Sequence, residues 1–319
     1  MNDPEPEIID LKPDLGDFRA EFLRGMTSVP KEINPKFFYD ETGTRLFDEI
    51  TRLEEYYPTR TEVSILREHC NDLSHIAGLI ETVVELGSGN GEKGKLLMNC
   101  MPDLKRYVFV DISMAALKKA LDSASDNNKH IERRGICSDF SGIDRILDHM
   151  FPEAKMVVFL GSTLGNMEQE EVIKFLNGLS GVLNRGDLIM IGVDLKKDKY
   201  TMEAAYNDRK GVTAKFNLNI IARAERELSI PLSPRDFSHL AFYNEQKGRI
   251  EMHLVALKDI SFELDGVTIE IKRGERIHTE NSYKYNVEEI SENLKKAGFQ
   301  NIGVWKDSME KFAIINAQR

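Results

Sequence analysis

From residue 82 onward the chain alternates between short apolar runs rich in β-branched residues and longer stretches of helical period. The apolar runs are ETVVELG, RYVFVDIS, KMVVFLGSTLGN and DLIMIGVDL; between them lie EKGKLLMNCM, MAALKKALDSA and QEEVIKFLNGLSGVL. Short β-branched runs that end in glycine read as strands, and helices between them imply crossover connections. Such connections give a parallel sheet with helices on both faces, wound with right-handed crossovers. The fold expected is therefore α/β, built on a Rossmann-like parallel sheet.

The rhythm breaks after Lys199. Residues 200–228 read as helical, and RIEMHLVALKDISFEL with VTIEIKRGERIHTENSYKY read as antiparallel strands across 249–285. Residues 286–319 then supply the helix VEEISENLKKAG and two further strands, a hairpin that suits the end of the same parallel sheet. Upstream, residues 1–10 are polar and expected to fray, 14–57 read as small helices, and TEVSILREHCNDLSHIAG reads as one helix leading into the core. Two domains follow. Residues 60–196 with 286–319 form the parallel-sheet domain, and 12–59 with 197–285 form an α+β substrate domain.

Composition narrows the function. The 319 residues carry a net charge of -10, which argues against a nucleic-acid partner. No run approaches the length of a membrane span, and MNDPEPEIID lacks a signal-peptide core, so a cytoplasmic enzyme is expected. Cys70, Cys100 and Cys137 lack metal-ligand spacing and read as buried thiols; no metal is expected. The histidines His69, His75, His130 and His149 read as solvated or structural.

The strongest local signal is Val83-Val84-Glu85-Leu86-Gly87-Ser88-Gly89-Asn90-Gly91, a strand running through glycines into a helix. Glycine permits a sharp turn and close approach to a ligand, and the helix start offers unpaired amides. Asp111 ends the next strand, where a carboxylate can take ribose hydroxyls, although it can equally cap the helix after it. The two together favour a nucleoside. A dinucleotide would place a pyrophosphate here, but Gly91 comes too early for that fingerprint, and Glu92 would oppose the charge. The cationic, amino-acid end of S-adenosylmethionine tolerates Glu92. Asp139 and Phe140 follow the third strand and suit the adenine amino group and ring, with core packing the alternative for Phe140.

Several long motifs, in order, carry a resemblance: FFYDETGTRLFDEITRLEEYYPTRTE, VELGSGNGEK, FLGSTLGN with GVDLKKD, AAYNDRKGVTAKFNLNIIARAERELS, RIEMHL and TENSYK. With these the chain resembles the EgtD family, the histidine-specific Nα-methyltransferases of ergothioneine biosynthesis, from about Lys31 to the C-terminus. The resemblance implies a class I methyltransferase sheet plus a substrate domain. It implies S-adenosylmethionine contacts at Gly87, Lys93, Asp111, Asp139 and Phe140. It implies histidine contacts at Tyr56, Gly161, Asn166, Tyr206, Glu280 and Ser282, with Tyr39 lining the same place. Tyr56 and Tyr39 would align the amine, and no acid–base group is singled out. Asn90-Gly91 stand where the family has Thr-Ser, and Asn281, Tyr283 and His253 also depart from the usual pattern.

The chemistry implied is methylation of the α-amino group of L-histidine, ending at the trimethylated betaine hercynine, by a monomer acting on a small molecule. Asn166 and Tyr206 would hold the carboxylate. Glu280 and Ser282, at alternate strand positions, would hold the imidazole nitrogens. Open alternatives are a different amino acid, a ring nitrogen of histidine, or a non-catalytic ligand sensor.

Overall fold

The apolar runs are strands, and those at the centre of the sheet are buried on both faces. The computed structural model describes residues 7–11, 16–123, 130–139, 143, 146, 147, 151 and 153–319. The chain divides into two units: Met1–Asp14, Pro58–Lys196 and Lys284–Arg319 form the first, and Leu15–Tyr57 with Lys197–Tyr283 the second.

The first unit (elements numbered along the whole chain) holds β1 (Glu7–Asp10), β2 (Thr82–Leu86), β3 (Arg106–Asp111), β4 (Glu132–Cys137), β5 (Lys155–Phe159) and β6 (Leu188–Asp194). It also holds β12 (Gln300–Lys306) and β13 (Phe312–Gln318). They form one eight-stranded sheet in the order β1-β4-β3-β2-β5-β6-β13-β12. Pairing is parallel from β1 through β6, and β13 runs antiparallel between β6 and β12. Successive strands step outward from β2 in one direction, then from β5 in the other. The chain thus reverses direction across the sheet beside β2, where open parallel sheets place ligands at their carboxyl ends.

Three readings need correction in this unit. Residues 7–10 do not fray: β1 pairs with β4, and Gly135 makes room, since a Cβ there would lie 3.2 Å from Ile8. The helix leading into the core is two helices, α3 (Tyr57–Glu68) and α4 (Cys70–Ile76), separated at His69. The His69 ring stacks on Trp305 at 4.9 Å, and its Nδ1 lies 2.7 Å from the Asp72 carboxylate. Cys70 and Cys100 form a disulfide and are not thiols; only Cys137 is free and buried. Though thirty residues apart, they meet because α4 packs against α5 (Glu92–Cys100).

The second unit is α+β. Strands β7 (Phe237–Asn244), β8 (Arg249–Ala256) and β11 (Arg276–Tyr283) make an antiparallel sheet in the order β11-β8-β7. Strands β9 (Ile260–Leu264) and β10 (Val267–Ile271) form a separate hairpin. The helices are α1 (Phe18–Thr27), α2 (Glu41–Ile50), α8 (Lys199–Ala204) and α9 (Val212–Leu228), α7 being Gln169–Val182 of the first unit. The stretch 200–228 is thus two helices, because the Asp208 carboxylate accepts from the amides of Val212 and Thr213 and restarts the second. One face of the three-stranded sheet, including Ile250, Met252 and Leu254, joins Phe22, Phe38, Ile220 and Ile221 in the core. Among the described residues no helix is long and apolar enough to cross a membrane.

Candidate active site

Gly87, Lys93, Asp111, Asp139, Gly161 and Asn166 all lie at or beyond the carboxyl ends of neighbouring strands β4, β3, β2 and β5. The turn after β2 is tied to β3: the amide of Gly87 donates to the Val110 carbonyl at 2.8 Å, and that of Gly89 to Asp111 Oδ2 at 3.0 Å. Asp111 Oδ1 accepts from Ser113 at 2.9 Å, so this carboxylate also caps the chain entering α6 (Met114–Ser123). Burial raises its carboxyl above the ordinary value, and the amides of Ser113, Gly89 and Ile112 offset part of that. Asp139 lies two residues past the end of β4. Phe140 lies outside the described residues, as does His149.

The two later glycines of the turn differ in what surrounds them. A Cβ added at Gly91 would lie 2.7 Å from Ala120, so this residue lets α5 pack on α6. A Cβ at Gly89 would meet nothing within 4 Å. Open space above a glycine and a carboxylate on the next strand suit the ribose and amino-acid parts of S-adenosylmethionine.

Lys93 and Gly161 are joined by a residue outside the expected contact set. Glu62, on α3, is fully buried; its Oε2 takes Lys93 Nζ at 3.0 Å, and both its oxygens accept from the Gly161 amide at 2.8 and 3.0 Å. The sequence signal was an acid beside Val63, Ile65 and Leu66 on an apolar helix face. Beneath them Glu85, buried on β2, accepts from the Tyr107 hydroxyl at 2.9 Å. Burial pushes its carboxyl to about 7, against the pull of Lys93 and of that hydroxyl.

The loop after β5 is shaped by two adjacent residues in the left-handed region, Gly161 at φ 81° and Ser162 at φ 57°. Ser162 Oγ accepts from the Asp194 amide at 3.0 Å, which holds the strained serine. Asn166 ends the short 3₁₀ segment that follows, Thr163–Asn166. Asp194, at the end of β6, is buried in an ion pair with Lys284 at 2.8 Å.

In the second unit, Tyr206 Oη donates to Ser282 Oγ at 2.7 Å, so two proposed substrate residues touch directly. Glu280 and Ser282 face Met252 and Ile250 across the β11–β8 ladder, and both are buried. Tyr39 and Tyr56 share an aromatic cluster: each ring meets Phe47 edge-on, at 5.8 and 6.3 Å, and Tyr39 also meets Phe216. His253 is buried on β8, its Nε2 3.3 Å from Glu251.

A parallel sheet that reverses order beside a glycine turn, carries an acid at the end of the next strand and closes with an antiparallel hairpin strand defines a class I S-adenosylmethionine-dependent methyltransferase. The model of the family described as histidine-specific, S-adenosylmethionine-dependent methyltransferases matches residues 18–319, and the chain belongs to that family. It is 38% identical to the histidine N-alpha-methyltransferase of Mycolicibacterium smegmatis, over 95% of this chain and 97% of that one. It is 35% identical to the enzyme of the same name from Mycobacterium tuberculosis, over 94% of each. The ergothioneine biosynthesis protein 1 of Neurospora crassa is 29% identical over 86% of this chain, which spans 32% of that longer protein.

Proposed function

We propose that this chain methylates the α-amino group of free L-histidine with S-adenosylmethionine and carries the product to the trimethylated betaine, hercynine. The observation that carries the reading is the polar group of Tyr206, Ser282 and Glu280, with Glu280 and Ser282 paired across the sheet with Met252 and Ile250 of the unit's apolar core. A carboxylate with a hydroxyl matches the two nitrogens of an imidazole.

S-adenosylmethionine, when bound, supplies a methyl group activated on a sulfonium. Gly87 and Gly89 would let its chain approach the turn, Asp111 would take the ribose hydroxyls, Asp139 the adenine amino group, and Lys93 the carboxylate. Asn166 would anchor the histidine carboxylate, with Tyr206 as a second donor, and Gly161 would offer backbone. Glu280 and Ser282 would fix the ring. Tyr39 and Tyr56 would present aromatic faces and hydroxyls to the amine, and the faces stabilise the cation that grows on methylation by about 0.5–2 kcal/mol. The chain's main task is alignment, which contributes ~7–11 kcal/mol in well-oriented reactions.

The second unit is accordingly the substrate domain. We further propose a cytoplasmic monomer with neither nucleic acid nor membrane as partner, a reading supported on the first count by the net charge of -10. A disulfide runs against a reducing compartment, so a thiol count on freshly lysed cells tests the location.

The decisive assay incubates the protein with S-adenosylmethionine and a panel of free amino acids plus histamine, and reads product masses. Histidine should gain three methyl groups, in steps, while histamine, lacking the carboxylate, should react far more slowly. Equal rates on histamine would remove the carboxylate anchor. Methylation of a different amino acid in preference to histidine would remove the substrate assignment.

A further inference from the structure

The second unit contains a row of buried and half-buried polar side chains with no role in the reading above. Asn217, fully buried on α9, donates from Nδ2 to His239 Nδ1 at 2.9 Å and to the His253 carbonyl at 3.0 Å. Its Oδ1 accepts from Thr279 Oγ1 at 2.8 Å. His239, on β7, places Nε2 2.9 Å from the carbonyl oxygen of Tyr206.

The proton positions follow from the ends of this chain. A carbonyl only accepts, so the Tyr206 carbonyl requires hydrogen on His239 Nε2, and the His253 carbonyl requires the amide nitrogen of Asn217 to face it. The Nδ1 of His239 is then the acceptor for Asn217, and the ring is neutral with one tautomer. Burial, the largest influence, lowers the His239 pKa and favours the same neutral form.

The chain begins and ends on one strand. Thr279 sits at the β-bulge of β11, where the register shifts between His278 and Glu280, and its hydroxyl also lies 3.1 Å from the carbonyl of Met252, the residue paired with Glu280. Tyr206 is held at its carbonyl by His239 and at its hydroxyl by Ser282. The path Thr279–Asn217–His239–Tyr206–Ser282 therefore leaves β11 one residue before Glu280 and returns two residues after it.

We propose that His239 and Asn217 are positioning residues that set Tyr206 and the Glu280–Ser282 edge for the substrate amino acid. Neither needs to touch substrate. The proposal rests on the assignment of Tyr206, Glu280 and Ser282 to histidine binding. A bulge redirects the side chains that follow it, and an irregularity pinned by a fully satisfied polar network keeps one geometry.

The test compares His239→Gln with His239→Asn. Glutamine restores a donor at the reach of Nε2 toward Tyr206; asparagine reaches only as far as Nδ1 and leaves that carbonyl unpaired. His239→Asn should raise the KM for histidine about tenfold or more, with the Kd for S-adenosylmethionine, measured by calorimetric titration, near wild type. His239→Gln should recover most of that loss. Thermal unfolding of all variants registers any purely structural effect, which would move Tm without separating the two substitutions in KM. Equal and near-wild-type KM in both variants overturns the proposal, and so does an equal loss in both. Tyr206→Phe and Ser282→Ala run alongside. If they leave the histidine KM unchanged, the substrate assignment fails. If they raise it while the His239 variants do not, only the positioning role fails.

Discussion

Replacing Glu85 with glutamine probes how the strand beneath the glycine turn is held. Glu85 Oε2 accepts from Tyr107, while Oε1 is buried with no hydrogen-bond partner among the described residues. The folded protein holds this carboxyl near 7, against 4.5 for an ordinary glutamate. Between those values the folded chain keeps a proton that the unfolded chain has released. The stabilisation is complete below about pH 4.5 and is gone once pH has risen through about 7. The gap corresponds to roughly 3 kcal/mol. Glutamine keeps an acceptor for Tyr107 and removes the titration. Near pH 4.5 the variant should match wild type, and at pH 8 it should be more stable by about 2–3 kcal/mol. Urea unfolding of both proteins at half-unit steps from pH 4.5 to 8.5 gives the difference directly. A difference that stays flat with pH would refute the reasoning, since Glu85 would then be ionised throughout and held by Lys93.

Four other outcomes follow from the same geometry. Glu62→Ala leaves Lys93 and the Gly161 amide without their shared acceptor and should destabilise by roughly 3–5 kcal/mol in chemical unfolding, the scale for breaking a buried pair; a change within about 0.5 kcal/mol would mean the pair is solvated. Asp111→Ala should weaken S-adenosylmethionine binding by ~1.5–3 kcal/mol, read by calorimetry. Glu280→Ala should lower kcat/KM for histidine at least ~100-fold, or ~2.7 kcal/mol, and leave S-adenosylmethionine affinity unchanged; retained preference for histidine over phenylalanine and tryptophan would reduce Glu280 to a strand-edge charge. His253, lowered to about 4 by burial and by His278 against the pull of Glu251, has the opposite sign to Glu85. Its contribution is full above pH 6.5 and shrinks as pH falls toward 4, by at most roughly 3 kcal/mol; His253→Gln should flatten that loss in unfolding at pH 5 against pH 7.5.

What was legible in the sequence was whatever local pattern encodes. The strand–helix alternation is written in consecutive residues, so the parallel sheet could be read, and so could the turn at Gly87 and the acid at the end of β3. Pairings between distant segments were not. Ile8 and Ile9 make too short an apolar run to announce a strand, and their partners, Gly135 and Ile136, are 127 positions away. Cys70 and Cys100 lack any spacing rule that would join them. The strand Phe237–Asn244 mixes polar and aromatic residues because it packs on α9 through one side and carries His239 toward Asn217. Glu62 was visible as a misplaced acid, but its role needed the approach of Lys93 and the loop at Gly161. The motif residues were identified through resemblance, because a tyrosine, a glutamate and a serine in separate segments have no joint signature until the chain brings Tyr206 against Ser282.

The place of β13 in the sheet has a consequence in time. It lies between β6 and β12, and Ile314 and Ile315 within it are fully buried, so an interior position is filled by residues 312–318 while its neighbour β6 ends at residue 194. At ~5–20 residues per second of synthesis, the open edge of β6 waits on the order of 10 s for its partner. Through that interval it presents a row of unpaired amides and carbonyls on a strand of Leu, Ile, Met and Val, the kind of edge that pairs with other chains. The first unit thus passes through a stage in which its own product is safest at low nascent-chain density, and its yield on expression should depend on the rate of synthesis more than on the stability of the finished sheet.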